Sequence, residues 1–393
     1  MPPLAIHAGR ALTPFEEIAD AVILVEGRSI RWIGPRAAAA LPPGTQELDA
    51  RELIAVPGLV DLHIHGSAGH DVMEAKPEAL QAVAGFIARF GVTSFLATTV
   101  SASAEETTTA LAGLARAVRS EPERSSTTSP RSAECLGVHL EGPFLSAARR
   151  GVHPREQLLA PSPGLLARFL DAAVGYARIL TLAPELPGSE ETIRAACRAG
   201  LVVALGHTDA TYSEALRAIE CGARHAVHVF NAMRPFSHRE TGVIGAVLTD
   251  ARVTAEVIAD GIHVDDPAIR ILLAAKGVDK VILVTDATAA TGMPDGNYRL
   301  GSIDVTVSGG VCRNREGNLA GSTLTLDRAV WKMAALGVPL AAAVQMATAN
   351  PARVLGLAER KGRLGPGADA DIVLLDQSLR VVRVFARGHC LQP

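Results

Sequence analysis

The chain has 393 residues, of which 48% are hydrophobic and 20% charged. At roughly 100–200 residues per domain, that length allows two or three domains, or one α/β barrel of about 250 residues with a smaller companion. The apolar fraction excludes a globally disordered chain. A formal net charge of -3, with both signs interspersed, leaves no electrostatic footprint for nucleic acid or an anionic membrane, so a small molecule is the expected partner.

The first fifty residues read as short strands: AVILVEG, a turn at Glu26-Gly27-Arg28, then SIRWIG. From Leu53 onward, short β-branched runs alternate with Ala/Leu-rich stretches at helical spacing, as in βαβ units. Eight strands follow: 53–65, 92–100, 135–144, 178–185, 201–208, 225–232, 252–260 and 280–287. Between them, PEALQAVAGFIARFG and SEETIRAACRAG show the apolar stripe, late Arg and closing Gly of amphipathic helices. The polar stretch 125–130 before the third strand reads as a long loop tip. After the eighth strand, IDVTVSGGVCRN and GNLAGST read as a hairpin insertion, followed by helices near 325–336 and 339–348. The tail returns to strand and turn. The predicted fold is therefore a (β/α)8 TIM-like barrel over 56–357, with a small β-sandwich domain built from 1–55 and 358–393; an open doubly wound sheet is the rival.

The five cysteines, Cys135, Cys197, Cys221, Cys312 and Cys390, never form a C-x-x-C pair, which argues against a disulfide framework or a cysteine zinc site. No run of about 18 apolar residues occurs, and MPPLAIHAGRALTPFEE lacks a basic segment followed by an apolar one, so the expected location is cytoplasmic.

The 12 His are the unusual resource. Strand one ends Asp61-Leu62-His63-Ile64-His65-Gly66, and residues two apart on a strand share a face, so His63 and His65 are predicted to project together into the barrel mouth. Glu141, before a Gly-Pro turn at the end of strand three, stands where a carboxylate reaches a metal. His139 lies deeper on the same face, in a supporting place. His207 ends strand five, His228 strand six and Asp286 strand eight, whereas His225 has the wrong parity and reads as structural. Singly, each could be a satisfied polar core residue; jointly they fall on the one face where barrel enzymes carry their active sites.

These segments resemble the amidohydrolase superfamily and, within it, the N-acetylglucosamine-6-phosphate deacetylases. The resemblance runs through VPGLVDLHIHG, GVTSFLATTV, GVHLEGPF, TLAPE, ALGHTDATY, HVFNAM, ADGIHVDD, VTDA, LAGSTLTLD and GPGADADIVLLD. HLEGPF and the F-N-A-M segment are the deacetylase-specific elements. The resemblance implies that Glu141, His207 and His228 ligate one divalent ion and that His63 and His65 hold a second, giving one or two ions per subunit. Zn is the first choice, with Fe, Mn or Co as alternatives. It also implies substrate contacts at Val152, His153, Asn231, Ala232, Arg239 and His263, with Leu319 beside the acetyl group. Many two-metal relatives bridge their ions with a carboxylated lysine, yet none of Lys76, Lys276, Lys280, Lys332 and Lys361 lies at a C-terminal strand end. Glu141 is the candidate in its place.

Chemistry supports these roles. A divalent ion lowers the pKa of bound water towards ~7 and polarises an amide carbonyl. Asp286 is expected to take the proton from that water and return it to the leaving amine, and His153 to donate to the developing oxyanion. Arg239 offers a planar fork for phosphate, with His263 as a second donor, and its loop could reach across from a neighbouring subunit of a homodimer or larger homo-oligomer. The expected reaction removes acetate from N-acetylglucosamine 6-phosphate. The rivals are the same chemistry on N-acetylgalactosamine 6-phosphate, another amidohydrolase reaction, and a catalytically silent scaffold.

Overall fold

The computed structural model describes residues 2–13, 16–124 and 132–391; the loop expected at 125–130 lies outside them. In chain order, β1 (Leu4–Leu12), β2 (Glu17–Glu26), β3 (Ser29–Pro35) and β4 (Gln46–Pro57) lead directly into β5 (Leu59–Ile64). A small hairpin, β6 (Gly66–Ser67) with β7 (His70–Asp71), precedes α1 (Pro77–Ala88). Next come β8 (Val92–Thr99), α2 (Ala104–Arg124), β9 (Glu134–Glu141), α3 (Pro163–Ala173), β10 (Ala177–Leu182), α4 (Ser189–Arg198), β11 (Val202–Leu205), α5 (Tyr212–Cys221), β12 (His225–Ala226), α6 (Gly242–Thr249), β13 (Thr254–Val257), α7 (Asp266–Lys276) and β14 (Val281–Leu283). The chain then forms β15 (Gly296–Leu300), β16 (Ile303–Ser308), β17 (Val311–Asn314), α8 (Leu326–Ala335), α9 (Leu340–Met346), α10 (Ala349–Val354), β18 (Ile372–Leu375), β19 (Val381–Ala386) and β20 (His389–Leu391).

The alternation of strand and helix closes as expected. The sheet runs β14-β13-β12-β11-β10-β9-β8-β5, all parallel, and its two edges meet through the His63 carbonyl, which accepts the Asp286 N–H at 2.8 Å, and the Ala287 carbonyl, which accepts that of His65 at 2.8 Å. Every residue of β8 is buried, because helices cover one face and the barrel interior the other. Leu96, Ile179, Ala204, Val227 and Ile282 belong to a cluster that fills that interior. On α1, Leu80, Val83, Ala84 and Ile87 form the apolar stripe, and Pro77 sits in the first turn, where its missing N–H costs nothing. Thr211 and Glu214 cap the start of α5 reciprocally.

The terminal segments make one seven-stranded sheet, ordered β20-β19-β18-β4-β1-β2-β3, mixed because β1 runs parallel to β4. Its edge strand β3 comes round to the segment before β18: Ile30 N–H donates to Ala368 O at 2.9 Å and Gly367 N–H to Ile30 O at 2.9 Å. The sandwich is thus one sheet folded over its own core of Ile6, Ile23, Ile30, Ile372, Leu374 and Phe385. Val56, Val373 and Val384 join the main core, which also holds Val83 of α1.

Three expectations need correction. Strand six was expected over 225–232 but ends at Ala226, and the strands expected to run to 208 and 287 stop at Leu205 and Leu283. The reason is backbone geometry. His207, His228, Phe230, Ala232 and Asp286 have φ of 47°, 28°, 83°, 49° and 50°, left-handed values that a β-ladder does not accommodate. The insertion after strand eight has three strands instead of a hairpin, because Gly296–Leu300 pairs antiparallel with β16. Finally, α10 lies beyond the helix expected over 339–348 and was not expected. Among the described residues no helix is long and apolar enough to cross a membrane.

Candidate active site

The site forms where the barrel strands end. His63, on β5, and His65, one residue past its end, place their rings 5.3 Å apart. His63 Nδ1 lies 3.0 Å from Glu256 Oε2, and His65 Nδ1 lies 3.0 Å from the Thr98 carbonyl. His207 Nδ1 faces the Arg149 carbonyl at 3.2 Å. Carboxylate and carbonyl oxygens only accept, so each of these Nδ1 atoms carries its proton and each Nε2 is left as a lone pair.

Those lone pairs converge on carboxylates. Glu141 Oε1 is 3.3 Å from His63 Nε2, 3.2 Å from His207 Nε2 and 3.0 Å from His228 Nε2, while Glu141 Oε2 is 3.3 Å from His65 Nε2. Asp286 Oδ1 approaches His65 Nε2 at 3.1 Å, and the Nε2 atoms of His207 and His228 lie 3.2 Å apart. His63 Nε2 and His228 Nδ1 are buried without a hydrogen-bond partner. Lone pairs packed against anions repel unless positive charge lies between them, as extra protons or as a metal ion. The protons show the demand: burial opposes a charge on His65, yet its hydrogen bonds to Asp286 and Glu141 push the imidazole up to about 9. The donor set therefore fits a divalent cation. Candidate ligand groups at the mouth are His63, Glu141 and His228; His63, His65 and Asp286; and Glu141, His153 and His207, while a fourth group, His63, His139 and Glu256, lies beneath them, away from the cavity.

Backbone strain puts the donors there. The left-handed φ values at His207, His228 and Asp286 cost on the order of 1–3 kcal/mol each, and they turn the side chains out of the ladder toward a common point. Gly142, at φ 80°, follows Glu141; a Cβ on it would collide with Ser101 Oγ. That hydroxyl holds His153 Nδ1 at 2.9 Å.

His153 differs from the other imidazoles. Its Nδ1 accepts the Ser101 backbone N–H at 3.2 Å, so the ring proton sits on Nε2, 3.5 Å from Glu141 Oε2. It faces the site as a donor.

Beneath the donors lies a layer that motif reading missed in part. His139 was anticipated as support: its Nδ1 faces the Leu62 carbonyl at 3.2 Å, and burial followed by repulsion from His63 pushes it down to about 3. Glu256 and Asp61 were not anticipated. Glu256 binds both His63 and His225; burial works against its charge, but His225 and His63 hold its carboxyl well below the usual range. Asp61 accepts from Thr285 Oγ1 at 2.6 Å, and burial pushes it up to about 7. A lone acid inside an apolar strand, as in VTAEVI, is the signal that could have flagged Glu256.

Above the donors opens a cavity of about 450 Å³. Val152, Asn231, Ala232, His263 and Leu319 line it together with Glu141, His65, His153, His207, His228 and Asp286; His63 lies beneath, fully buried. His263 Nδ1 is 2.7 Å from Asp260 Oδ2; burial opposes protonation, but this bond raises the imidazole above its ordinary value. Arg239 departs from expectation. It is exposed on the turn Ser237–Glu240, closed by reciprocal backbone hydrogen bonds of 3.0 and 3.1 Å, and lies outside its own chain's cavity. Arg149 and Arg150 line the cavity, bonded to Asp209 and Glu316.

With this geometry in view, comparison with known proteins is decisive. Residues 54–391 match the model of the amidohydrolase family. The chain belongs to that family. This amidohydrolase is 37% identical over 351 residues to N-acetylglucosamine-6-phosphate deacetylase of Lysinibacillus sphaericus, covering 88% of this chain and 87% of the relative. It is also 40% identical over 386 residues to N-acetylgalactosamine-6-phosphate deacetylase of Escherichia coli O157:H7, covering 98% of each. Among solved structures, N-acetyl-D-glucosamine-6-phosphate deacetylase of Mycobacterium smegmatis superposes with a TM-score of 0.91 at 36% identity over 100% of both chains. A point mutant of that enzyme, solved in complex with N-acetyl-D-glucosamine-6-phosphate, gives 0.90.

Proposed function

We propose that this amidohydrolase cleaves the acetamide of N-acetylglucosamine 6-phosphate, releasing acetate and glucosamine 6-phosphate, in the cytoplasm. The observation that carries the reading is the cation-demanding cluster of His63, His65, Glu141, His207, His228 and Asp286 under a sugar-sized cavity. One or two divalent ions, Zn first and Fe, Mn or Co otherwise, are assigned to it. Glu141, His207 and His228 take one position, and His63 and His65 with Asp286 the other. Bound there, the metal supplies Lewis acidity and makes water nucleophilic near neutral pH.

The chain's own groups do the rest. Asp286 Oδ1 takes the proton of the attacking water and passes it to the amine nitrogen as the C–N bond breaks. His153 Nε2–H donates to the carbonyl oxygen as it gains charge. Val152, Asn231 and Ala232 position the sugar, and Leu319 lies against the acetyl methyl. His263 binds the phosphate. Arg239, excluded from its own cavity, is assigned to a neighbouring subunit's phosphate in a homodimer or larger homo-oligomer. This chemistry is assigned to residues 56–357, with 1–55 and 358–393 as the supporting unit.

A second reading, the 4-epimer N-acetylgalactosamine 6-phosphate, is favoured by the 40% identity to the E. coli O157:H7 enzyme over 98% of the chain. Competing the two 6-phosphates for purified protein, with metal content measured on the same sample, separates them. Faster acetate release from the gluco epimer supports the first reading. Turnover undiminished in metal-free protein overturns the metal-dependent mechanism, and metal-loaded protein that releases acetate from neither epimer overturns both readings.

A further inference from the structure

Glu256 stands in a buried strand whose neighbours are apolar or small, it is fully buried, and it does not line the cavity. No step proposed above uses it. A carboxylate so placed costs several kcal/mol unless its oxygens are bonded, and here they are spent in two directions. Oε1 lies 2.8 Å from His225 Nε2, and Oε2 lies 3.0 Å from His63 Nδ1 and 3.4 Å from the backbone N of His228. Because the carboxylate only accepts, His63 must present Nδ1–H to it and turn a bare Nε2 toward Glu141 and Asp286.

The other candidate ligands are held differently. His65 and His207 have their proton positions set by main-chain carbonyls, of Thr98 and Arg149, and His228 Nδ1 has no partner. Only His63, among these four, depends on a side chain. A carboxylate behind an imidazole fixes its orientation and strengthens its free nitrogen as a donor.

We infer that Glu256, anchored by His225, is the positioning residue that makes His63 a metal ligand and so decides whether the His63–His65–Asp286 position holds a divalent ion. The inference rests on the metal reading above but is separable from it. In Glu256→Gln, one amide oxygen cannot accept from both imidazoles, and an amide N–H facing His63 Nδ1 shifts the ring proton to Nε2, away from ligation.

The test is titration of the metal-free full-length protein with Zn2+ against a chromophoric chelator, with ¹⁵N-histidine NMR of the loaded protein. Wild type is expected to take two equivalents, with His63 protonated on Nδ1. Glu256→Gln is expected to bind one of these about 10- to 100-fold more weakly and the other within threefold, as His63→Gln does. Glu256→Asp, which keeps two accepting oxygens, should recover part of the loss. Unchanged binding of both equivalents in Glu256→Gln overturns the inference, as does a wild-type protein whose titration is indifferent to His63→Gln. Should Glu256→Gln fail to fold, the wild-type spectrum still decides: metal on His63 Nδ1 overturns the inference. In each of those outcomes deacetylation by the wild type leaves the function standing, whereas Zn2+-loaded wild type that releases no acetate would remove the function itself.

Discussion

Strand β9 carries a glutamate at each end, the half-buried Glu134 at the base of the barrel and the buried Glu141 at the mouth, roughly 23 Å apart at about 3.3 Å per residue. Glu134 lies 2.6 Å from Lys361 Nζ, which also meets Asp369 and Asp371 at 2.8 Å each, and Arg360 and Arg387 complete the group. Three cations therefore face three carboxylates among the described residues, and every charge at the base has an opposite. At the mouth, Glu141 and Asp286 face imidazole lone pairs. The base cluster is complete in the polypeptide and ties the sheet unit to the barrel. The mouth cluster is complete only with a cation from outside. Two constellations built around carboxylates thus differ in purpose, and the difference is visible in which charges are left over.

The largest effect should come from the mouth. Asp286→Asn is expected to lower kcat by about 10²- to 10⁴-fold, the usual range for losing a positioned acid–base group, while the ion assigned to Glu141, His207 and His228 is retained and Tm holds. Full activity with metal retained would take Asp286 out of the proton-transfer role. The base should respond in the opposite currency. Lys361→Met leaves three carboxylates around one cavity and should destabilise the fold by about 3–5 kcal/mol in urea titrations, with kcat of the folded fraction unchanged. A kcat loss matching that of Asp286→Asn would erase the distinction between the two ends.

A smaller effect sharpens what belongs to the mouth. Arg239→Ala should raise KM for the 6-phosphate about 10- to 100-fold, the worth of a hydrogen bond to a charged group, and barely change KM for the dephosphorylated sugar. Equal changes for both substrates would refute phosphate binding by this loop.

How legible these regions were follows from what places each residue. His63, His65, Glu141, His207, His228 and Asp286 stand at or just past strand ends, and strand ends follow from hydrophobic runs that stop at polar residues, so the barrel mouth could be read off the chain. The positions where those strands stop were misjudged by up to six residues, because left-handed φ at a His or Asp leaves no mark in the residue pattern. Glu256 carried the mark of a lone acid in an apolar strand, but its role was hidden for another reason: its partner His63 is 193 residues away, and only closure of the barrel brings them together. Lys361 was noted only for what it could not do at the mouth; that it anchors the base depends on the terminal sheet folding back, which no local pattern encodes. Arg239 was expected at the phosphate from the family resemblance, and the closed turn Ser237–Glu240 holds it outside its own chain's cavity.

The gentlest way to probe the comparison is acid. Burial alone would raise the Glu134 carboxyl, but Lys361 and Arg360 hold it down to about 2 from an ordinary 4.5. As pH falls, the unfolded chain therefore takes up this proton first, and protonation pulls the equilibrium toward unfolding. The stability that Glu134 contributes is fully present above about pH 5, and it is lost progressively as pH drops from 4.5 toward 2. Its rim touches water, so screening reduces the contribution to on the order of 1–2 kcal/mol. Urea titrations of metal-loaded protein at pH 6 and pH 3.5 should show a steeper loss for wild type than for Glu134→Gln, which has no proton to gain at this position. Parallel losses would mean that the acid sensitivity arises at the mouth, where protons displace the cation, and that the base is not the self-sufficient end of the strand.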